Sequence, residues 1–388
     1  MKLFIFQLIK IQSKFYHKHY LVYSFNISCI SIATFSGFKI FSLSTLQILY
    51  QETNFIPINI IEMLHTSNII LLVGLAENEN FSPKRFTLWS CTKKNNIYSS
   101  PIFNTEIIVA KINKVRIIIT EKNYLHIFSN GNTQEIIHSY TISNITLGKI
   151  ALSSNIEKNC WICFSTSIDK GDIKIYDALY PSTIKMQLKA HKSPILKLSL
   201  NKKGDRLATC SCKGTIIRIF SLPDGNKICT FKRGINSAFI FCLSFSDDND
   251  KLISSSDNGM IHIFDIEEGI ENQKSENQPK GLSKVIYRSF LTIINKVFLP
   301  DYEDLFGSQQ ASMSFSGKEF QLSNIVGFIG ENMRECFCFS SDGNVTIFDV
   351  DYIDKKINKK KEINVSDMKE IDNRAPSIID SIKNDSLI

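Results

Sequence analysis

The chain reads as an all-β protein, a seven-bladed β-propeller with a long insertion loop in blade six. The first observation is a short pattern of alternating apolar residues ending in an aromatic. It recurs at 37–41, 86–89, 124–128, 171–176, 214–220, 259–264 and 343–348. Alternation with period two marks a strand with one buried face, and a Gly before it marks a turn. The second is spacing: Phe41, Trp89, Phe128, Tyr176, Phe220, Phe264 and Phe348 follow one another at 48, 39, 48, 44, 44 and 84 residues. A repeat of about 40 to 45 residues is that of a four-stranded blade. The last interval therefore holds one ordinary repeat and a large insertion. The third is composition, since 388 residues at 43% hydrophobic content suit one domain whose apolar residues are shared among many small blade interfaces.

Residues 1–19 form an N-terminal extension. Its apolar run Leu3–Ile9, between Lys2 and Lys10, contains Gln7 and precedes no small-residue cleavage site, so it is not read as a signal peptide. The propeller spans 20–352. In blade one, 20–26 and 30–35 are strands and Ser36-Gly37 is a turn. Blade two carries strands at 60–64 and 69–73 and a loop, Ser82-Pro83-Lys84-Arg85, whose basic pair reads as a solvated turn. Blades three and four, about 102–190, hold strands and no catalytic constellation.

Cys160-Trp161-Ile162-Cys163 has redox or metal spacing. No second pair accompanies it, and its apolar surroundings make the thiols small buried hydrophobes. Of the ten cysteines, Cys210/Cys212 and Cys336/Cys338 sit two apart within strands, a poor geometry for a disulfide. The expectation is a reducing compartment, no metal site and no cofactor.

Blades five and six carry the specific signal. Ala190-His191-Lys192-Ser193-Pro194-Ile195, Leu207-Ala208-Thr209-Cys210-Ser211, Lys213-Gly214-Thr215, Arg218 and the turn Phe231-Lys232-Arg233-Gly234 come in that order. Together with Ser24-Phe25-Asn26, Ile61-Glu62-Met63-Leu64, Leu72-Val73-Gly74, Ser82–Arg85 and 256–264, they resemble the PROPPIN family of phosphoinositide-binding β-propellers, whose hallmark is Phe-Arg-Arg-Gly between blades five and six. The resemblance covers about 20–350.

The resemblance implies two head-group sites, one on each side of the motif, for phosphatidylinositol 3-phosphate and phosphatidylinositol 3,5-bisphosphate. Site one would use His191, Thr209, Ser211, Gly214, Thr215, Arg218 and Lys232. Site two would use Arg233, Gly234, Ser256 and His262. Consecutive residues of an extended segment point to opposite sides, so Lys232 and Arg233 can each serve one pocket. Arginine offers a planar fork to phosphate, hydroxyls donate without adding charge, and Gly234 admits a phosphate close to the backbone. His191 and His262 would add charge in mild acid and strengthen binding. Two departures matter: Lys232 replaces the first motif arginine and lacks the fork, and Met260 stands where the family usually has Thr.

The insertion, about 267–311, begins with a polar, loop-like stretch to Lys280. It continues with apolar residues at 282, 286, 290, 293, 294 and 297, a helical stripe beside Lys284, Arg288 and Lys296. That composition suits an anionic membrane interface, and the resemblance implies that this loop inserts, with Phe290, Leu291, Ile294 and Phe298 as inserting residues. Residues 353–388, lysine-rich and polar, read as a disordered charged tail.

The net charge of +7 fits an anionic partner. The sequence has no aromatic-interleaved basic groove for nucleic acid and no nucleophile, base and oxyanion set for catalysis. The reading is a non-enzymatic phosphoinositide effector, cytoplasmic and peripheral on preautophagosomal, endosomal or vacuolar membranes. By resemblance its partners are autophagy lipid-transfer or conjugation-machinery proteins. The alternative is a protein-only scaffold that binds acidic peptides.

Overall fold

A computed structural model describes residues 22–368, except 26–28, 35, 65–66, 79, 132, 143–148, 155, 157–159, 223, 277–308 and 331–332. Seven antiparallel sheets follow one another along the chain, each of four strands in meander order apart from one added strand on blade five. The propeller expected from the aromatic spacing is the fold. All seven spacing aromatics lie in the third strand of their blades, as Phe220 does in Ile216–Ser221 and Phe264 in Met260–Asp265.

Each apolar face is buried against the next blade. Blades one and two share Phe38, Ile61 and Trp89, blades two and three share Val73, Phe86 and Phe128, and blades three and four share Leu125, Ile127 and Phe164. Blades four and five share Ile175, Leu207 and Phe220, and blades five and six share Phe231, Phe264 and Ile266. A larger cluster joins blades six, seven and one through Ile263, Phe337 and Phe41 and closes the ring. Burial of these faces is the main stabilising term.

Blade five is built from Ile195–Leu200, Arg206–Ser211, Ile216–Ser221 and Lys227–Lys232. Blade six is built from Ile240–Phe245, Lys251–Ser256, Met260–Asp265 and, beyond the insertion, Met313–Ser316.

The structure corrects two boundaries. The polar stretch after Phe264 is helical: α1 spans Ile266–Glu276. Asp265 accepts the Glu268 N–H at 3.1 Å as its N-cap, and Glu267 and Glu268 favour the positive end of the helix dipole. Among the described side chains of the helix, Ile266 and Ile270 pack onto the core between blades five and six, too sparse a stripe for the sequence pattern to reveal. The charged tail also starts later than expected. Lys356–Asn364 is the outer strand of blade seven, paired along Asn344–Asp351. Ile357 and Ile363 pack inward while the lysines face water, and Lys359 pairs with Glu362 at 2.6 Å. Lysine is common on such edge strands because it deters further strand pairing. The extension 1–19, the stripe with Phe290, Leu291, Ile294 and Phe298, and the segment from 369 lie outside the described residues.

The insertion returns beside the motif. Gln309–Gln310 pairs in parallel with Phe231–Lys232 as a fifth strand on blade five, before the chain crosses to blade six. The helix α1 packs there too: a Cβ on Gly269 would lie 2.9 Å from both Gln309 Oε1 and Phe231.

Candidate functional site

Phe231 anchors the motif. It is fully buried with its ring 4.8 Å from that of Phe264, so blades five and six are joined where the outer strand ends. Lys232 stands opposite Ile216, on the face that also carries Arg218 and Thr230 and looks toward blade four. Arg233 turns the other way, toward His262 and Asp257, both close enough for their charges to act on each other. The alternation read from sequence places one cation on each side.

On the blade-four side, Arg218 Nη1 donates to Ala190 O at 2.7 Å and to His191 Nδ1 at 2.8 Å. That leaves the His191 proton on Nε2, which lies 2.9 Å from Thr209 Oγ1, and the threonine hydroxyl in turn reaches Arg218 O at 3.3 Å. Three of the expected site-one residues therefore form a closed hydrogen-bonded cluster, each less than a tenth exposed. Burial, followed by the Arg218 charge, pulls the His191 pKa down to about 3.

A groove of about 590 Å³ opens onto this cluster, lined by His191 and Arg218 with Lys170, Lys189, Lys192 and Lys227, and with Asp172 among them. Sequence reasoning assigned none of these four lysines to a site, although Lys192 lies in the quoted motif, because they come from separate strands and turns of blades four and five. The only signal was their frequency near the motif.

On the blade-six side, Arg233 is 5% exposed. Its Nε donates to Gly214 O at 2.6 Å, its Nη2 donates to Asn236 O, and its backbone N–H donates to Thr215 O at 2.9 Å. Gly214 and Thr215, expected in site one, thus hold Arg233 through their carbonyls. His262 Nδ1 lies 2.7 Å from Ser314 Oγ, and its Nε2 is buried without a partner among the described residues. Ser254, opposite His262 in register, has a hydroxyl in the same condition. Burial, then the Arg233 charge, lowers the His262 pKa to about 4.

Ser256 Oγ lies 2.7 Å from Asn258 Oδ1 and 3.2 Å from Met260 O, closing its own turn. Ser314 and Ser254 went unnoticed in the sequence: the first is brought in from beyond the insertion, and the second is one of three consecutive serines with no distinguishing neighbour. Ser314 also brings a hydroxyl to the side of blade six where Met260 lacks one.

Both histidines are neutral in mild acid, so the expectation that their protonation strengthens binding is corrected. Burial beside an arginine opposes a second positive charge.

Gly214 has a structural reason to be glycine. Its φ is +62°, and a Cβ there would lie 1.9 Å from Ala238 O. Gly214→Ala is expected to destabilise the fold by ~3 kcal/mol or more, measured by chemical denaturation, because left-handed strain adds to a backbone clash. A loss below about 1 kcal/mol would contradict this packing. Gly234 is different, since a Cβ there meets nothing within 4 Å.

Of the cysteines, Cys163 is fully buried and burial pushes its thiol up, while Cys160 Sγ accepts from Asn113 Nδ2 at 3.4 Å. Among the described residues, no group of His, Cys, Asp and Glu is arranged to hold a metal, and no helix is long and apolar enough to cross a membrane.

The fold and site define a class: a seven-bladed propeller with a buried arginine and histidine on either side of one outer strand's end. A family model described as PROPPIN matches residues 20–356. Autophagy-related protein 18 of Dictyostelium discoideum is 34% identical over 265 residues, covering 68% of this chain and 69% of the relative. WD repeat domain phosphoinositide-interacting protein 2 of Gallus gallus is 32% identical over 266 residues, covering 66% of this chain and 59% of the relative. The structure of Hsv2 from Kluyveromyces lactis superposes with a TM-score of 0.69 over 90% of this chain and 100% of its own, at 19% identity, a likeness of fold. The chain belongs to the PROPPIN family.

Proposed function

We propose that the protein is a non-enzymatic phosphoinositide effector. It binds phosphatidylinositol 3-phosphate and phosphatidylinositol 3,5-bisphosphate at membrane surfaces and scaffolds autophagosome formation or endosomal and vacuolar traffic. The observation that carries this reading is the strand end that turns Lys232 to the blade-four side, where the lysine-lined groove also lies, and Arg233 to the side of His262. The names of the relatives, one autophagy-related and one phosphoinositide-interacting, support it.

The arrangement suits phosphorylated inositol rings. Lysines supply point charges to phosphate, and pre-set buried arginines hold the pocket walls without further ordering on binding. Two weak pockets on one rigid edge, joined by an inserting blade-six loop, add through avidity, and the protein is then peripheral on the membrane. Autophagy lipid-transfer or conjugation-machinery proteins are its proposed protein partners.

Flotation with phosphatidylcholine vesicles carrying phosphatidylinositol 3-phosphate, phosphatidylinositol 3,5-bisphosphate or unphosphorylated phosphatidylinositol tests the reading. The protein is expected to float with the first two and to stay down with the third. Equal behaviour with all three would overturn lipid recognition and leave the scaffold for acidic peptides as the better reading.

A further inference from the structure

Ile235 is 76% exposed, next to a motif otherwise buried or charged. Its loop is held at both ends. Gly234 N–H donates to Thr215 O at 3.2 Å on one side, and Ala238 N–H donates to Lys213 O at 3.1 Å on the other. From beneath, the buried Arg233 guanidinium donates to Gly214 O and Asn236 O on either flank. The isoleucine is therefore presented on a braced loop, and its exposure does nothing for the fold.

The surroundings are cationic and hydroxylated. Lys192, Lys213, Asn236 and Ser237 are exposed and Lys232 is partly so. The Pro194 carbonyl accepts the Cys212 N–H at 2.8 Å, which brings the Lys192 turn alongside the Lys213 turn. The acidic Asp257 is engaged by the backbone, its Oδ1 accepting the Phe239 N–H at 2.9 Å. A protein interface core needs contiguous apolar area, which this loop lacks. The interfacial layer of an anionic bilayer accepts a single aliphatic side chain flanked by lysines.

We propose that Ile235 is a bilayer anchor, seated between the two head-group pockets and entering the lipid interface while Lys192, Lys213 and Lys232 meet anionic head groups. The proposal rests on the reading of the protein as a phosphoinositide effector. It adds a contact point at blade five, separate from the blade-six insertion.

The test uses the full chain and two variants. With phosphatidylcholine vesicles carrying phosphatidylserine and phosphatidylinositol 3-phosphate, Ile235→Ser is expected to lose about tenfold in affinity, the scale of burying much of one aliphatic side chain. The same variant keeps wild-type binding of soluble inositol 1,3-bisphosphate and wild-type melting. Ile102→Ser, at a comparably exposed isoleucine after the outer strand of blade two, changes neither. Undiminished vesicle binding by Ile235→Ser overturns the anchor. If wild type ignores the soluble head group, the pocket reading fails instead, and Ile235→Trp then decides the anchor alone. On phosphatidylserine vesicles with brominated chains its fluorescence is quenched beyond the wild-type level if the side chain enters the bilayer, and quenching no greater than wild type overturns the proposal.

Discussion

Replacing Lys232 with threonine is expected to weaken binding to vesicles carrying phosphatidylinositol 3-phosphate by roughly tenfold while leaving the melting temperature unchanged. A charge-assisted contact to phosphate contributes about 1.5–3 kcal/mol, and one of several linked contacts is being removed. Lys232 stands at a strand end and is only partly buried, so its loss leaves no enclosed group unpaired. Arg233→Thr is expected to behave differently. Its guanidinium is the donor to Gly214 O and Asn236 O, and threonine cannot span that distance. Stability should fall by ~2–4 kcal/mol along with lipid binding. Separate single variants, followed by flotation and by urea denaturation, resolve the two effects that a double variant would merge. Equal stability losses at the two positions would contradict this assignment of one partly exposed ligand and one buried brace.

Acid is expected to destabilise the protein well before its carboxylates titrate. Burial beside Arg218 and Arg233 keeps His191 near pKa 3 and His262 near pKa 4, against 6.5 in the unfolded chain. Between those values the unfolded chain takes up protons that the folded one refuses, so stability is full above pH 6.5 and falls as pH drops toward the folded values. By pH 5 each histidine is expected to cost about 2 kcal/mol. Urea midpoints measured from pH 7 to pH 5 should therefore drop steeply for wild type. The slope should be roughly halved in His191→Gln. Head-group affinity should not rise over the same range, since neither ring gains charge in the folded state. A slope unaffected by the histidine substitution would show that these rings are not the buried neutral groups described.

The sequence by itself determined the propeller. Seven aromatic-ended strands at near-constant spacing are a local, repeated signal, and each blade's alternation states which residues face its neighbour. It also located the charged turn, because Lys232 and Arg233 are adjacent and strand alternation alone separates their sides. The boundaries were less legible. Helix α1 hides in a polar stretch because two isoleucines and a cap suffice to dock it. The outer strand of blade seven hides among lysines because an edge strand needs only occasional apolar contacts.

Only the tertiary structure decided where each expected site residue sits and what it touches. Thr209, His191 and Arg218, read as ligands of one kind, are bonded to one another and buried at the base of a groove that Lys170, Lys189, Lys192 and Lys227 also line. Ser314 reaches His262 from 52 residues away, past the insertion. The physical reason is range. Strand periodicity is fixed by neighbours along the chain, while burial, hydrogen-bond partners and the pKa of a histidine are set by groups that meet only when separate blades close against each other.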